Sequence, residues 1–210
     1  MIHLYTGNGK GKTTAALGLA MRAVGDGKRV FMIQFIKGPW PSGEDKSHNA
    51  FGDQFELIKG GKGFVGILND TLPRSEHEKA ARETLERAKT EIESGTWDIV
   101  ILDEVNVACD LNLISVQDVL GVVSRFSDKY QSSSRGSEAT VAIPGALKAT
   151  EIASPAAGRV AMTNHKPELI ILTGRSAPAA FYEIADLITE MREIKHYYQD
   201  GKLAKRGVEY

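Results

Sequence analysis

The chain has 210 residues and a mass of 22.8 kDa, a length that suits one sizeable hydrophobic core and is short for two full domains. Its 42% hydrophobic and 25% charged residues are ordinary for a globular protein, and a formal net charge of -1 does not indicate nucleic acid as a partner. Cys109 is the only cysteine, which excludes an internal disulfide, and no apolar run reaches membrane-spanning length, so we expect a cytoplasmic protein with no membrane partner.

A glycine-rich run follows the first predicted strand, Ile2 to Tyr5, and precedes a predicted helix, Thr13 to Val24. This order is the context of a phosphate-binding loop, in which backbone N–H groups and a helix dipole surround an anion. The tripeptide Gly11-Lys12-Thr13 matches the end of the pattern G-x-x-x-x-G-K-[ST], whereas Thr6 replaces its first glycine. A glycine-rich turn that binds nothing is the alternative. We predict that a nucleoside triphosphate binds along the run Thr6, Gly7, Asn8, Gly9, Lys10, Gly11, Lys12, Thr13 and Thr14.

Three near-continuous apolar runs have the composition of strands that are buried on both faces of a parallel sheet. They are Arg29 to Ile36, Trp97 to Leu102 and Glu168 to Thr173. Phe55 to Ile58 is predicted as a further short strand, and Lys37 to Asn49 as a loop. The alternation of strands and helices predicts a single α/β domain over residues 1–210, with a mainly parallel sheet, helices on both faces and a RecA-like P-loop architecture.

Three later helices are predicted from apolar residues at helical spacing. Ser75 to Glu93 starts with a capping-box pattern formed by Ser75 and Glu78, another helix begins at Ser115, and an amphipathic helix runs from Pro178 to Met191. Residues 128–166 lack a periodic pattern and are expected to form an insertion. A lid over the site and a surface loop without a catalytic role both remain open for this segment.

An acidic pair, Asp103 and Glu104, directly follows the predicted strand Trp97 to Leu102. An aspartate after several apolar residues is the pattern of the carboxylate that holds a phosphate-bound Mg²⁺ in nucleotide-binding sheets. Turn chemistry is the alternative, because turns are rich in aspartate. Combined with the phosphate-binding loop, the pair predicts a site for Mg²⁺, or Mn²⁺, formed by Thr13, Asp103 and Glu104.

Several blocks of the sequence, taken together, resemble the P-loop type of ATP:corrinoid adenosyltransferase. They are Tyr5 to Ala16, Gln34 to Glu44, Ile101 to Glu104, Leu172 to Arg175, and the tail from Ile194 to His196 with Gly207 to Tyr210. The resemblance implies that the Co(I) of a reduced corrinoid attacks the 5′ carbon of the co-substrate ATP and that triphosphate leaves, in cobalamin biosynthesis or salvage. It implies catalytic roles for Lys12 and Thr13, and nucleotide binding by Arg175.

The resemblance also implies a corrinoid site, bordered by Trp40, Phe64 and the tail that contains His196. A separate flavoprotein is expected to reduce Co(II), because the chain has no redox motif, and a homodimer is expected. The tryptophan that relatives carry two residues after the phenylalanine is Gly66 here. We expect the protein to lack the N-terminal extension that covers the corrinoid in some relatives, and we hypothesise that residues 128–166 replace this cover.

Two other functions are compatible with the nucleotide motif. A RecA-like ATP hydrolase would use Glu104 to orient an attacking water and would release phosphate without a corrinoid. A non-catalytic ATP-binding module would bind ATP tightly and form no product. These alternatives are separated by the product formed under reducing conditions.

Overall fold

The computed structural model describes residues 1–38, 40–67, 70–127 and 166–197, together with residues 201, 205 and 207. Its strands, in chain order, are β1 (Ile2–Thr6), β2 (Val30–Gln34), β3 (Phe55–Lys59), β4 (Ile99–Asp103), β5 (Leu169–Thr173) and β6 (Leu187–Glu190). They form one six-stranded sheet in the order β3-β2-β4-β5-β1-β6, and every neighbouring pair is parallel. The predicted α/β fold with a parallel sheet is confirmed.

Helices cover both faces of this sheet. They are α1 (Lys12–Gly25), α2 (Glu44–Ser47), α3 (Arg74–Glu93), α4 (Val105–Asp110), α5 (Val116–Val123) and α6 (Ala179–Ile184), with 3-10 helices at His48–Gln54 and Ser124–Phe126. On one face, Ala16 and Ala20 of α1 share an apolar cluster with Met32 of β2. On the other face, Leu85 of α3 shares a second cluster with Ile33 of β2. Successive strand residues point to opposite faces, so a strand covered on both sides must be apolar throughout.

The predicted helix from Pro178 to Met191 is wrong over its second half. Helix α6 ends at Ile184, Ala185 is extended, and the next residues form β6 at the edge of the sheet beside β1. Asp186 links the two strands, because its N–H donates to Ile2 O at 2.8 Å and its Oδ2 accepts from Ile2 N at 2.6 Å. These bonds and the parallel pairing with β1 satisfy backbone groups that would otherwise lie at an open edge, which overrides the helical spacing of the apolar residues.

The predicted capping box of α3 is also wrong. The helix starts at Arg74 after Pro73, with no side-chain hydrogen bond at the N-cap, and Glu78 contacts Arg74 Nε at 3.0 Å. Pro73 is itself the N-cap residue, with φ of -58° and ψ of 142°, and its ring carries no oxygen that could accept from the first N–H groups of the helix. The start of α5 is confirmed, because Ser115 Oγ accepts from the backbone N–H of Asp118 at 3.0 Å.

Three further points concern the connections. The segment predicted as a loop, Lys37 to Asn49, contains α2 and the start of a 3-10 helix, and α4 was not predicted. Except for Lys166, the predicted insertion at 128–166 lies outside the described residues. Among the helices of the described residues, none combines the length and the hydropathy that a bilayer span requires.

Candidate functional site

The phosphate-binding loop connects β1 to α1 and lies against the chain that follows β6. Gly9 N donates to Met191 O at 2.7 Å, and Met191 N donates to Thr6 O at 2.8 Å. A Cβ on Gly9 would lie 2.7 Å from Met191 O, and one on Gly7 would lie 2.5 Å from the same atom. Glycine is therefore required at both positions by the close approach of another backbone segment.

Lys12 is a buried charged residue of this loop. Its Nζ donates to the carbonyl oxygens of Gly7 and Gly9, each at 2.7 Å, so the ammonium group closes the loop from within. Burial lowers the pKa of Lys12, against the charges of Glu104 and then, more weakly, Asp103, which raise it. An anion bound at the loop would meet an ammonium group that is already held in place by the backbone.

Asp103 lies at the carboxyl end of β4 and is fully buried. Its Oδ1 accepts from Thr13 Oγ1 at 2.9 Å and from Thr173 Oγ1 at 2.7 Å, while its Oδ2 accepts from Gln34 Nε2 at 3.1 Å. Four elements therefore meet at one carboxylate, because the carboxyl ends of β2, β4 and β5 lie beside the first turn of α1. Burial raises the pKa of Asp103, against the hydrogen bonds from Thr173 and Thr13.

Glu104 follows at once and adopts the left-handed conformation, with φ of 61°. Its backbone N–H donates to Thr173 Oγ1 at 3.0 Å. Burial and then the charge of Asp103 raise the pKa of Glu104 to about 7, while the charges of Lys12 and Arg175 act in the opposite direction. Two adjacent carboxylates with raised pKa values are a setting that a divalent cation stabilises.

The two carboxylates and the Thr13 hydroxyl are hard oxygen donors, which fit Mg²⁺. No cluster of three or more His, Cys, Asp and Glu side chains that could hold a metal is found in the part of the chain that the structure describes. A cation at Asp103 and Glu104 would therefore take its remaining ligands from the hydroxyl, water and nucleotide phosphates, which is the usual coordination of Mg²⁺ in nucleotide enzymes.

Arg175 is exposed beside this cluster, on a turn that α4 holds in place. Asn106 Nδ2 donates to Gly174 O at 2.9 Å, and a Cβ on Gly174 would lie only 2.9 Å from Asn106 Cβ. The turn is thus pressed against α4. Its proximity to the loop is reflected in the effect of the Arg175 charge, which lowers the pKa of both Glu104 and Lys12.

A second group of site residues lies on the segments that follow β2 and β3. The rings of Trp40 and Phe64 pack with centroids 5.4 Å apart and planes tilted by 31°, although 52% of Trp40 and 43% of Phe64 stay exposed. Lys59 joins the two segments, because its Nζ donates to Trp40 O at 2.8 Å and to Asp45 Oδ2 at 2.5 Å. The structure therefore brings together the two aromatic residues that the sequence assigned to the corrinoid.

Gln34 connects this second group to the carboxylate cluster. Besides Asp103, its Nε2 lies 3.5 Å from Glu44 Oε1, and Glu44 pairs with Lys37. Its backbone oxygen accepts from Gly60 N at 2.9 Å, at the start of the segment that leads to Phe64.

The remaining predicted corrinoid residue, His196, stacks on Tyr197 with 4.6 Å between ring centroids. The residues that the resemblance assigns to the corrinoid thus take part in two aromatic pairs, Trp40 with Phe64 and His196 with Tyr197.

Sequence reasoning identified Lys12, Thr13, Asp103 and Glu104 correctly as neighbours. It missed Thr173, which donates a hydrogen bond to Asp103. A threonine at the carboxyl end of a buried strand was the available signal. Gln34 carried a similar signal, as the polar residue that interrupts an apolar run.

Comparison with known proteins identifies the family. The family model of ATP:corrinoid adenosyltransferase BtuR/CobO/CobP matches residues 1–143 and 159–210, and the unmatched residues 144–158 fall within the predicted insertion. The corrinoid adenosyltransferase of Escherichia coli K12 is 31% identical over 212 residues, which cover 100% of this chain and 85% of the relative. Corrinoid adenosyltransferase CobA of Salmonella typhimurium LT2 is 29% identical, with coverage of 100% and 85%. The corrinoid adenosyltransferase of a Sinorhizobium species is 30% identical, with coverage of 100% and 80%. The chain therefore belongs to the ATP:corrinoid adenosyltransferase family.

Proposed function

We propose that the chain transfers the 5′-deoxyadenosyl group of ATP to the Co(I) of a reduced corrinoid and releases triphosphate, in cobalamin biosynthesis or salvage. The observation that carries the proposal is the family match, because residues 1–143 and 159–210 include both the polar cluster at Asp103 and the exposed pair Trp40 and Phe64. A phosphate site and an apolar aromatic surface on one side of the molecule suit a reaction that joins a nucleotide to a flat macrocycle.

The residues act mainly on the leaving group. Co(I) supplies the electron pair for the new cobalt–carbon bond, and the bond between C5′ and the triphosphate oxygen breaks, so no general base is needed. Lys12 and the N–H groups of the loop stabilise the charge on the departing triphosphate. Mg²⁺, held by Thr13, Asp103 and Glu104, would add positive charge near the same phosphates. Arg175 is proposed to contribute a further positive charge, which the effect of its charge on Glu104 and Lys12 supports.

Trp40 and Phe64 are proposed to face the corrin ring. Apolar contact there excludes water from the cobalt and favours a cobalt without a lower ligand, which makes Co(II) easier to reduce. We propose His196 as a further corrinoid contact from the tail. A separate flavoprotein as electron donor, a homodimeric assembly and a cytoplasmic location stay predictions.

The test is an anaerobic assay with ATP, Mg²⁺ and chemically reduced cob(I)alamin. We expect the corrinoid absorbance to change to that of adenosylcobalamin, with triphosphate as the second product. Orthophosphate with unchanged corrinoid would favour the hydrolase, and bound ATP without any product would favour the binding module. Asp103→Asn is expected to remove activity without preventing folding, because the amide oxygen can still accept from Thr13 and Thr173, and Gln34 can turn its own amide so that its oxygen accepts from the new NH₂ group.

A further inference from the structure

The segment Gly63–Ile67, here named the Phe64 loop, presents Phe64 to solvent and is fixed at its first residue. Gly63 N donates to Ile36 O at 3.1 Å. Gly63 has a φ of 108°, and a Cβ there would lie 2.7 Å from the ring of Trp40. The Trp40 ring therefore rests directly on the backbone at the start of the loop.

The other end of the Phe64 loop is fixed by one carboxylate. Asp70 Oδ2 accepts from Gly66 N at 2.8 Å, and its Oδ1 accepts from Leu72 N at 3.1 Å. The backbone N–H of Asp70 donates to Ile67 O at 3.1 Å. One side chain thus satisfies one backbone donor before it and one after it, and the turn that these bonds define is held at Gly66, Ile67, Asp70 and Leu72.

A buried histidine attaches this turn to α3. His77 is only 3% exposed, and its Nε2 lies 3.0 Å from Asp70 Oδ2. Since an ionised carboxylate only accepts hydrogen bonds, Nε2 carries the hydrogen that it donates. Helix α3 is itself packed on the sheet through Ala81 and Leu85, so the turn is tied to a rigid element.

Helix stabilisation alone is a weaker explanation of the pair. The buried polar side chains of α3 in the described structure are His77 and Thr84. Thr84 Oγ1 donates within the helix, to Ala80 O at 2.6 Å. His77 instead bonds outside the helix, to Asp70, which lies four residues before the helix begins at Arg74. Burial removes water from the imidazole, and the bond to Asp70 replaces the lost hydrogen bond. Because moving the turn would break this bond, the two side chains specify one position for the turn.

We propose that Asp70 and His77 are positioning residues that hold Phe64 against Trp40 and thereby preform the surface for the corrin ring. This inference rests on the proposed function, because it assigns the aromatic pair to the corrinoid. The two residues act through the Phe64 loop: among the described residues, their side chains bond Gly66, Leu72 and each other, and none of these belongs to the proposed nucleotide site. Their loss should therefore affect the corrinoid and ATP differently.

The first variant is His77→Leu, which removes the N–H donor and keeps an apolar side chain of similar size. We expect the corrinoid Michaelis constant to rise about tenfold, equivalent to the loss of one modest interaction, and the ATP constant to stay within about twofold. Hydrogen exchange at Gly66 and Leu72 should become faster, while the strands keep their protection. His77→Gln, which retains an N–H donor, should restore most of the corrinoid affinity.

Thr84→Val is the matched control, because it removes a buried hydrogen bond from the same helix at nearly constant volume. It should leave both Michaelis constants and the exchange of the Phe64 loop unchanged. Asp70→Ala tests the hydrogen-bonded pair of Asp70 and His77, here named the clamp, from outside the helix. It should reproduce the effects of His77→Leu, and it keeps the test available if His77→Leu folds poorly.

The inference is overturned if Asp70→Ala and His77→Leu keep the wild-type corrinoid constant, or if both substrate constants rise together with a general loss of protection. An inactive wild-type protein under the reducing assay would instead overturn the proposed function. In that case the exchange rates at Gly66 and Leu72 would still decide whether the clamp holds the loop.

Discussion

Asp103 shows how much a single buried carboxylate can organise. It accepts from residues that lie 69, 70 and 90 positions away in the sequence, Gln34, Thr173 and Thr13. Hydrogen bonds to a charged acceptor are among the stronger ones, and in a buried setting each leaves an expensive unpaired group if it is broken. The proposed nucleotide site is therefore assembled before any substrate arrives.

Gly9 offers a direct test of the loop. Gly9→Ala would bring a Cβ within 2.7 Å of Met191 O and of Arg192 C, so we expect the loop to move and ATP affinity to fall by about tenfold or more. Gly18→Ala is the control, because Gly18 lies in α1 and nothing is within 4 Å of its added Cβ. It should stabilise the protein by about 0.5–1 kcal/mol and leave ATP binding unchanged. Isothermal titration measures the ATP affinity of both variants, and denaturant unfolding measures the stability of Gly18→Ala. Equal ATP affinities of Gly9→Ala and the wild type would contradict the close approach of Met191.

Glu104 predicts a dependence of stability on pH in the absence of ligands. Its pKa is raised from 4.5 to about 7 on folding. Below pH 4.5 the carboxyl is protonated in both the folded and the unfolded state, so its ionisation does not change the free energy of unfolding. Between these values only the unfolded state ionises, and stability falls until it levels off above pH 7. Glu104→Gln should remove about 1–3 kcal/mol of this loss at pH 8.

Denaturant unfolding of ligand-free wild type and Glu104→Gln at pH 5 and pH 8 measures the effect. The variant should gain stability relative to wild type at the higher pH only, while its turnover falls. An equal difference at both pH values would show that ionisation of Glu104 is not the cause.

At the scale of elements, β6 is held to β1 through Asp186 as well as through the strand pairing. Asp186→Ala removes the acceptor for Ile2 N and should cost about 1–2 kcal/mol of unfolding free energy. Glu183→Ala, on the exposed side of α6, is the control and should have little effect. Denaturation midpoints measure the difference, and an unchanged midpoint in Asp186→Ala would mean that the strand pairing alone holds the edge.

The same strand shows what the sequence can predict about this fold. Strands β2, β4 and β5 were predicted because burial on both faces requires uninterrupted apolar residues. Edge strand β6 was not, since its four residues are all exposed and Phe181, Ile184 and Ile188 follow a helical spacing. Helix α4 was missed because it is six residues long and starts after the left-handed Glu104. The local sequence pattern predicts strands whose apolar composition requires burial on both faces. It fails for an exposed segment whose conformation is set by pairing with a strand that is distant in the sequence.

The site follows the same rule. The loop with Lys12 and Thr13 is contiguous, so its pattern was sufficient, and Asp103 follows a recognisable strand. The partnership of Thr173 with Asp103 depends on the strand order, which places β5 beside β4. The clamp of Asp70 and His77 has no sequence signature, because it depends on where a loop meets a helix.

At the scale of the whole molecule, ATP with Mg²⁺ should stabilise the fold. At a concentration of about one hundred times the dissociation constant, the expected gain is about 2.7 kcal/mol. Lys12→Ala should keep the fold, because the hydrogen bonds of Lys12 Nζ within the described residues stay inside its own loop, to the carbonyls of Gly7 and Gly9, but it should lose most of this gain. Lys89→Ala removes a remote exposed charge and is the control. Thermal unfolding with and without ATP and Mg²⁺ measures the shift, and a full shift in Lys12→Ala would exclude its role at the phosphates.

The place of β1 in the sheet has a consequence for how the protein is made. In the sheet of the described residues, β1 pairs with β5 and β6, whose residues begin at Leu169 and Leu187 and are synthesised more than 160 residues later. Met191, which holds Gly9, is synthesised later still. A ribosome-bound chain therefore carries its nucleotide motif exposed and unpaired through most of elongation, and ATP cannot guide the early stages of folding. Such long-range closure favours slow folding and exposes β1 to chaperones until β5 and β6 emerge.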